Sequence, residues 1–481
     1  MRRVRKRTTT KSSAPAPAFR PASHRVLFVP ELLEFIFSYL DREDNVNNAC
    51  VCKQWSTIGL DMLWRNVDNI FQLFNALCPI DVPDVISGGG PSRTRKFFMD
   101  FVTRMPRLTK LDLRVPFSIE SVEDIIIDTL LAGLPELRTV IFPEFFFTSR
   151  IVTHLATMQH IGVIQFEHGD EQGRGDPADV AHFEPMLLPG AFPQLYDLSL
   201  TGRLEHLTAF MNAPTAPINL TQLYLNSYWA QTPAEVHTLF SVLADSCSLL
   251  NVLVLELLHI PPGHFYVQGP LADLAPALSL PNLTHFEIMH GAPVHVTFEQ
   301  LEKLAQSWPS LELLKLNPEP LLALDGYPAL GLRALIPFAR HCPRLHTLGL
   351  FLDDAPTPSL NPFPSLRTLY VGLSRARSPQ TVALVLSALC PPGCLLQWGT
   401  SWTDPAECVA PEMVERIRER CAPWEEVARL LPVLARLRRE ERARARRLKY
   451  ENEELRTVNR VLREEARAIP GGKRQDSCVI C

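Results

Sequence analysis

The chain has 481 residues, of which 46% are hydrophobic and 21% charged, a composition typical of globular proteins apart from its 42 prolines. No apolar run approaches the ~18 residues that a transmembrane helix needs, and no apolar segment follows the basic start, so the sequence predicts neither a membrane span nor a secretory signal. Eleven cysteines without a disulfide framework favour reduced thiols and a cytoplasmic or nuclear location.

Charge is distributed unevenly along the chain. Residues 1–30 carry eight Lys or Arg and no acid, whereas residues 31–432 carry a net charge of −18. An acidic body of this size repels nucleic acid, so neither DNA nor RNA is an expected partner. The basic, Thr-, Ser- and Pro-rich residues 1–23 predict a disordered tail. Its alternatives are a nuclear-import or anionic-surface segment, a mitochondrial presequence and a plain solvated tail.

A compact helical block is predicted between Leu27 and Val67. Pro30 suits the first turn of a helix, where its missing N–H is not needed. Apolar residues then recur at helical spacing on one predicted face: Leu32, Leu33, Ile36, Phe37 and Leu40. A core of about forty residues is marginal, so we expect part of this apolar surface to serve a partner.

Three segments of this block carry a family resemblance: Leu27-Phe-Val-Pro-Glu-Leu-Leu-Glu-Phe-Ile-Phe-Ser-Tyr-Leu-Asp, Cys50-Val-Cys-Lys-Gln-Trp and Leu63-Trp-Arg. Together they resemble the F-box, with departures at Val29 and Asn45, where the family usually has leucine. The resemblance implies docking on a Skp-type adaptor and, through it, on a cullin. Carried over by position, the implied docking face is Pro30, Glu31, Leu32, Leu33, Ile36, Phe37, Leu40, Val51, Cys52, Lys53 and Trp55. A generic helical hairpin is the alternative.

A short sequence pattern, called a phrase below, recurs along the chain. It consists of an apolar residue, two residues of any type, a second apolar residue, one residue of any type and a third apolar residue. Clear copies are Pro106-Arg-Leu-Thr-Lys-Leu-Asp-Leu and Pro343-Arg-Leu-His-Thr-Leu-Gly-Leu, and ten copies between residues 108 and 366 give a mean period of about 29. This period is typical of leucine-rich repeats, here degenerate, and residues 167–189 are expected to loop out. Helices are predicted over residues 121–134, 232–246, 298–308, 332–341 and 378–390. The alternative is an unrelated α/β fold with leucine-rich strands.

The positions between the apolar strand residues should line the concave face of such repeats. They vary among acidic, aromatic and small residues, which suits protein binding. The candidate substrate-binding residues are Asp112, Asp197, Tyr224, Glu287, Lys315 and Tyr370, with Val254 and Gly349 in equivalent places. Because the body is acidic, we expect the partner to present a basic segment.

The C-terminal part has a third character. Thirteen a and d positions of one heptad frame run from Val427 to Ile469, four of them charged, which predicts either a weak coiled coil or a single solvated helix. Pro432 is expected to kink or end a helix, so that a continuous helix starts near it.

The chain ends Cys478-Val-Ile-Cys481, which resembles a prenylation box with Cys478 as the lipid acceptor. A redox pair is the weaker interpretation.

These patterns predict an α/β solenoid, with a short helical F-box followed by an irregular leucine-rich-repeat arc and a C-terminal helix. The predicted boundaries are 1–23 for the tail, 24–68 for the F-box, 69–104 for linker helices, 105–400 for repeats, 401–469 for the helical segment and 470–481 for a flexible tail.

We predict a non-catalytic substrate-recognition subunit of a Skp-cullin-F-box ubiquitin ligase, with an unknown protein substrate. No cofactor, catalytic residue or metal site is predicted, since no cysteine spacing suits zinc and no nucleophile lies near a base. The alternatives are a protein-interaction scaffold, membrane-associated through a prenylated C-terminus, and, third, an enzyme in its own right.

Overall fold

A computed structural model describes residues 29–64, 66–67, 91–114, 118–167, 175–229, 231–257, 274–320, 330–353, 362–401 and 411–468. The chain divides into two compact units. The first contains Met1–Asp179 and Gly190–Gln194, and the second contains Val180–Pro189 and Leu195–Cys481. Among the described residues, no helix has both the length and the apolar character that crossing a bilayer requires.

The first unit begins with three short helices and continues with parallel strands. Its helices are α1 (Pro30–Phe37), α2 (Arg42–Ala49), α3 (Lys53–Trp64), α4 (Pro91–Arg104), α5 (Glu123–Ile125, continuing as a π-helix over Ile126–Leu131) and α6 (Ser149–Leu155). Its strands are β1 (Asn66–Val67), β2 (Lys110–Asp112), β3 (Thr139–Pro143) and β4 (Val163–Glu167).

Side-chain caps fix where two of these helices start. Asp41 accepts the Asp44 N–H through Oδ1 at 2.8 Å and so begins α2. Thr148 accepts the Ile151 N–H at 3.3 Å and begins α6, which the sequence pattern had not indicated. Strands β1 to β4 pair in chain order, each parallel to the next.

The second unit repeats one arrangement, a strand followed by a helix or a loop. Its helices are α7 (Leu204–Met211), α8 (Pro233–Ser246), α9 (Phe298–Ser307), α10 (Ile336–His341), α11 (Pro379–Leu389) and α12 (Pro411–Ala468). Its strands are β5 (Asp197–Thr201), β6 (Gln222–Asn226), β7 (Val252–Leu257), β8 (His285–His290), β9 (Leu313–Leu316), β10 (Leu330–Gly331), β11 (Thr347–Leu350), β12 (Leu352–Asp353), β13 (Thr368–Tyr370) and β14 (Leu395–Gln397).

Parallel pairing brings equivalent residues of successive phrases into one row. The main sheet of this unit has the order β5-β6-β7-β8-β9-β11-β13-β14, while β10 and β12 pair separately. One row of the main sheet is Leu198, Leu223, Leu253, Phe286, Leu314, Leu348, Leu369 and Leu396. All but the last of these are at most 1% exposed. The apolar positions of the phrase therefore form a continuous core, and the large parallel sheet with helices agrees with the predicted α/β class.

The predicted helices of the second unit are confirmed to within a few residues. Capping boxes start α8, where Thr232 and Glu235 exchange hydrogen bonds, and α9, where Thr297 and Gln300 do the same. Residues 332–341 begin as a 3-10 turn before α10. The segment expected to loop out is only partly free, because Phe183 is buried and packs against Phe210 at 5.5 Å between ring centroids.

The C-terminal helix corrects the prediction made from Pro432. Helix α12 runs through Pro423 and Pro432 without ending. Pro432 is exposed, whereas the opposite side of the helix packs against α11. The Trp424 indole N–H donates to the Ser374 carbonyl at 2.9 Å, and the Arg438 guanidinium donates to Ser387 Oγ at 2.8 Å. These contacts hold the helix together across the prolines.

The same packing shortens the predicted coiled-coil seam. Val427 is fully buried within this chain and is therefore not available to a second helix. Every described side chain from residue 439 to residue 465 is exposed.

A close backbone approach at Gly372 yields a stability prediction. Gly372 has φ +47°, and a Cβ there would lie 2.1 Å from the Pro318 carbonyl oxygen. Gly393 has φ +89° with open space around its Cβ position. We expect Gly372→Ala to lower the free energy of unfolding by about 3 kcal/mol or more, since it adds a clash to the strain of a positive φ. Gly393→Ala should lower it by about 1–2 kcal/mol. Urea denaturation of the full chain measures both, and equal losses would contradict the assigned clash.

Candidate functional site

Helix α1 presents more apolar side chains to solvent than it buries. Leu32, Ile36, Phe35 and Tyr39 are 43%, 40%, 62% and 75% exposed. The rings of Phe35 and Tyr39 meet edge to face with centroids 5.1 Å apart. Tyr39 lies just after the end of the helix, and large apolar side chains grouped in this way typically mark an interaction surface.

The opposite side of α1 forms the core of the three-helix module. Leu33 and Phe37 are 0% and 1% exposed, and the Phe37 ring meets the Trp55 ring of α3 edge to face at 5.4 Å. Gly59 allows α3 to approach α2 closely, because a Cβ there would lie 3.2 Å from Ala49 Cβ. This corrects the predicted docking face: Leu33 and Phe37 belong to the core and offer no surface to a partner.

The remaining predicted docking residues are accessible. Eight are exposed: Pro30, Glu31, Leu32, Ile36, Leu40, Val51, Cys52 and Lys53. Trp55 is half-buried. Sequence reasoning missed Phe35, Tyr39 and Val46, which are all exposed. A usable signal was present, because five of the eight residues of α1 are large and apolar, more than the one buried side of so short a helix can cover.

Asn45, one of the departures from the family pattern, lies inside the module. It is only 6% exposed, and its Nδ2 donates to the carbonyls of Phe37 at 3.0 Å and Leu40 at 3.4 Å. The Asn45 amide therefore satisfies carbonyls at the end of α1. Its Oδ1 has no partner among the described residues. The departure thus changes how the module is held together and does not alter its exposed apolar surface.

A groove of about 660 Å³ lies beside this module within the first unit. Residues of α1, α3 and the segment 104–108 line it. Arg107 reaches Glu34 at 4.0 Å and Glu136 at 3.9 Å at its rim. These pairs are about half exposed, so they contribute little to stability.

Strand register decides which of the predicted substrate-binding residues share a row. In the second unit the row is Ser199, Tyr224, Val254, Glu287, Lys315, Gly349, Tyr370 and Gln397. Asp197 lies two residues before the row and pairs with Gln222, so the residue of β5 that belongs to the row is Ser199. Asp112 lies on β2 of the first unit, where it is buried and pairs with Arg114 at 3.0 Å.

Several residues of this row are already paired within the chain. Lys315 Nζ lies 2.8 Å from Glu287 Oε2, and the Tyr224 hydroxyl donates to Glu256. Tyr370 is buried, and its hydroxyl contacts the Glu319 carboxylate and, at 3.0 Å, the Gly399 carbonyl. Burial and the neighbouring Glu319 raise the pKa of Tyr370. Tyr370 is therefore a structural residue, while Tyr224, Glu287 and Lys315 stay accessible.

The predicted lipid acceptor Cys478 and the basic residues 1–23 lie outside the described residues.

Comparison with known proteins agrees with the geometry of the three-helix module. The family described as F-box-like matches residues 30–70, so the chain carries an F-box-like domain. Domains of this family commonly bind Skp-type adaptors, and the proteins that contain them are generally non-catalytic. A search of curated proteins found no match.

The role of Asn45 can be tested by its removal. Asn45→Ala deletes the hydrogen bonds to the Phe37 and Leu40 carbonyls, and we expect a local loss of about 1 kcal/mol. Amide hydrogen exchange of residues 30–64 in the full chain should then be about fivefold faster. Asn47→Ala, an exposed position on the same helix, is the control and should exchange as the unsubstituted chain does. Equal rates in the two variants would contradict the assigned role.

Proposed function

We propose that this protein is the substrate-recognition subunit of a Skp-cullin-F-box ubiquitin ligase. The observation that carries the proposal is the exposed apolar side of α1 in a module that matches the F-box-like family. Phe35, Ile36 and Tyr39 cannot be buried by three helices of this length, and their removal from water on binding supplies a driving force.

The composition of this surface suits a stable protein interface. Aromatic and aliphatic side chains form its centre, and the charged residues Glu31 and Lys53 are also exposed. Interfaces between proteins commonly combine an apolar centre with a polar rim. In this proposal Leu32, Ile36 and Leu40, with Val51 and Cys52, bind the adaptor, and Phe35 and Tyr39 enlarge the contact.

We further propose that residues 105–400 form a solenoid of degenerate leucine-rich repeats. Support comes from the repeated phrase, from one parallel strand per phrase and from the helix or loop that connects successive strands. Asn317 adds to this support. It is fully buried at φ +43°, and its Oδ1 accepts the His290 N–H at 3.1 Å, so it ties one strand end to the preceding one.

In this proposal the accessible strand row binds the protein substrate. Tyr224, Val254, Glu287 and Lys315 offer aromatic, aliphatic and charged groups side by side. Such a mixture favours a protein ligand over a single small molecule. The −18 charge of residues 31–432 supports a basic segment on that ligand. Ubiquitin transfer itself would be carried out by the partner enzymes, to which the complex brings the substrate close.

Adaptor binding is tested by charge substitutions on the exposed side of α1. The double variant Leu32→Asp with Ile36→Asp places two carboxylates in the proposed interface, and we expect it to weaken binding of a purified Skp-type adaptor at least about 100-fold. Leu33 is left unchanged because an aspartate there would disrupt the core. Leu448→Asp, on the exposed part of α12, is the control and should bind normally.

Binding should be measured by calorimetry on full chains with unchanged circular dichroism. The proposal would be contradicted if the α1 variant bound the adaptor as tightly as the unsubstituted chain does. It would also be contradicted if the unsubstituted chain did not bind the adaptor. Co-purification of a cullin with the adaptor separates a ligase subunit from the alternative, a scaffold that assembles proteins without ubiquitin transfer. Adaptor without cullin would favour the scaffold.

A further inference from the structure

Two histidines and a glutamate from three neighbouring strands of the second unit converge at one edge of the sheet. His285 is the first residue of β8, Glu312 immediately precedes β9, and His346 immediately precedes β11. One ligand atom from each of the three lies within 4.8 Å of the other two. His346 Nε2 is 3.9 Å from Glu312 Oε2, and the two imidazole rings are 6.3 Å apart between centroids.

We propose that His285, Glu312 and His346 form a binding site for a divalent transition metal of the zinc class. Two imidazoles and one carboxylate are a ligand set that zinc and its neighbours accept, with a coordination position left open. Zinc ligands stand about 2.0–2.2 Å from the metal. Because the three ligand atoms already lie within 4.8 Å of one another, modest side-chain rotations would complete the coordination.

Backbone hydrogen bonds connect the three segments that carry the ligands. The Thr284 carbonyl accepts the N–H groups of Glu312 at 2.8 Å and Leu313 at 3.0 Å. The Glu312 carbonyl accepts those of His346 at 2.9 Å and Thr347 at 3.2 Å. The ladder thus extends one residue before the strands and ties the backbones of the three ligand residues to one another.

Each histidine also has the second partner that metal-binding histidines need. His285 Nδ1 lies 2.9 Å from Thr284 Oγ1, and His346 Nδ1 lies 3.2 Å from Thr347 Oγ1. When the Thr284 hydroxyl donates its hydrogen to the Asn251 carbonyl at 3.2 Å, its oxygen accepts from His285 Nδ1. In that arrangement the Nε2 lone pair of His285 is left for a metal.

The site is also accessible from solvent. The side chains of Glu312 and His346 are 38% and 35% exposed, and His285 is half-buried. A metal can therefore enter, and a water or a side chain of a bound protein can occupy the open position. Once bound, the ion would link three consecutive strands next to the accessible strand row.

Cobalt binding to the full, reduced and metal-free chain tests the proposal, with zinc as competitor. We expect one equivalent with weak visible absorption and without the intense thiolate charge-transfer band that cysteine ligands would give. His285→Ala and His346→Ala should each weaken this binding at least about 100-fold, and Thr284→Val about tenfold, through loss of the outer hydrogen bond. His341→Ala is the matched control and should bind cobalt as the unsubstituted chain does. His341 pairs with Glu302 at 2.6 Å, a histidine–carboxylate contact outside the proposed site.

Circular dichroism of the metal-free variants should equal that of the unsubstituted chain, because the substituted residues are partly exposed. Three results would overturn the proposal: no cobalt binding at about 0.1 mM, a thiolate spectrum alone, or unchanged affinity in both histidine variants.

Discussion

The in-register stacking of apolar residues across parallel strands is the constraint on which the second unit depends. Leu223, Leu253 and Phe286 occupy equivalent places on successive strands and are excluded from water together. Because side chains alternate along a strand, this buried row also fixes which residues face outward. The accessible row of Tyr224 and Glu287, and the ligand cluster at the start of the strands, follow from the same register.

The helical module obeys the opposite constraint, since it is too small to bury its apolar residues. Leu33 and Phe37 fill the space between its helices, and the rest of α1 stays in water. A small core can be held together by polar contacts instead, as Asn45 does at the end of α1. The apolar surface left over is the part of the module that would contact an adaptor in the proposed function.

Much of this arrangement could be predicted from local patterns. Spacing within a phrase indicated the strands, and the helical stretch predicted over residues 232–246 matches α8. Errors in assigning buried and exposed residues arose where a difference of one or two positions along the chain moves a side chain to the other face of its helix or strand. Leu32 and Leu33 are neighbours in sequence, yet one is exposed and the other is in the core.

Periodicity also could not predict that α12 continues through Pro432, because tertiary contacts of Trp424 and Arg438 hold that helix. Nor could it join His285 to His346, which only strand pairing brings together.

Ion pairs and hydrogen bonds within the accessible row reduce how strongly its charged residues can attract a basic partner. The net charge of −18 over residues 31–432 suggests strong attraction for a basic partner. Yet Glu287 is already neutralised by Lys315 at 2.8 Å, and Glu256 accepts the Tyr224 hydroxyl. A basic side chain that approached Glu287 would have to displace Lys315, so the exchange of one ion pair for another yields little net affinity. Long-range attraction would then speed association, while specificity in this row would depend on the shape and contacts of Tyr224 and Val254.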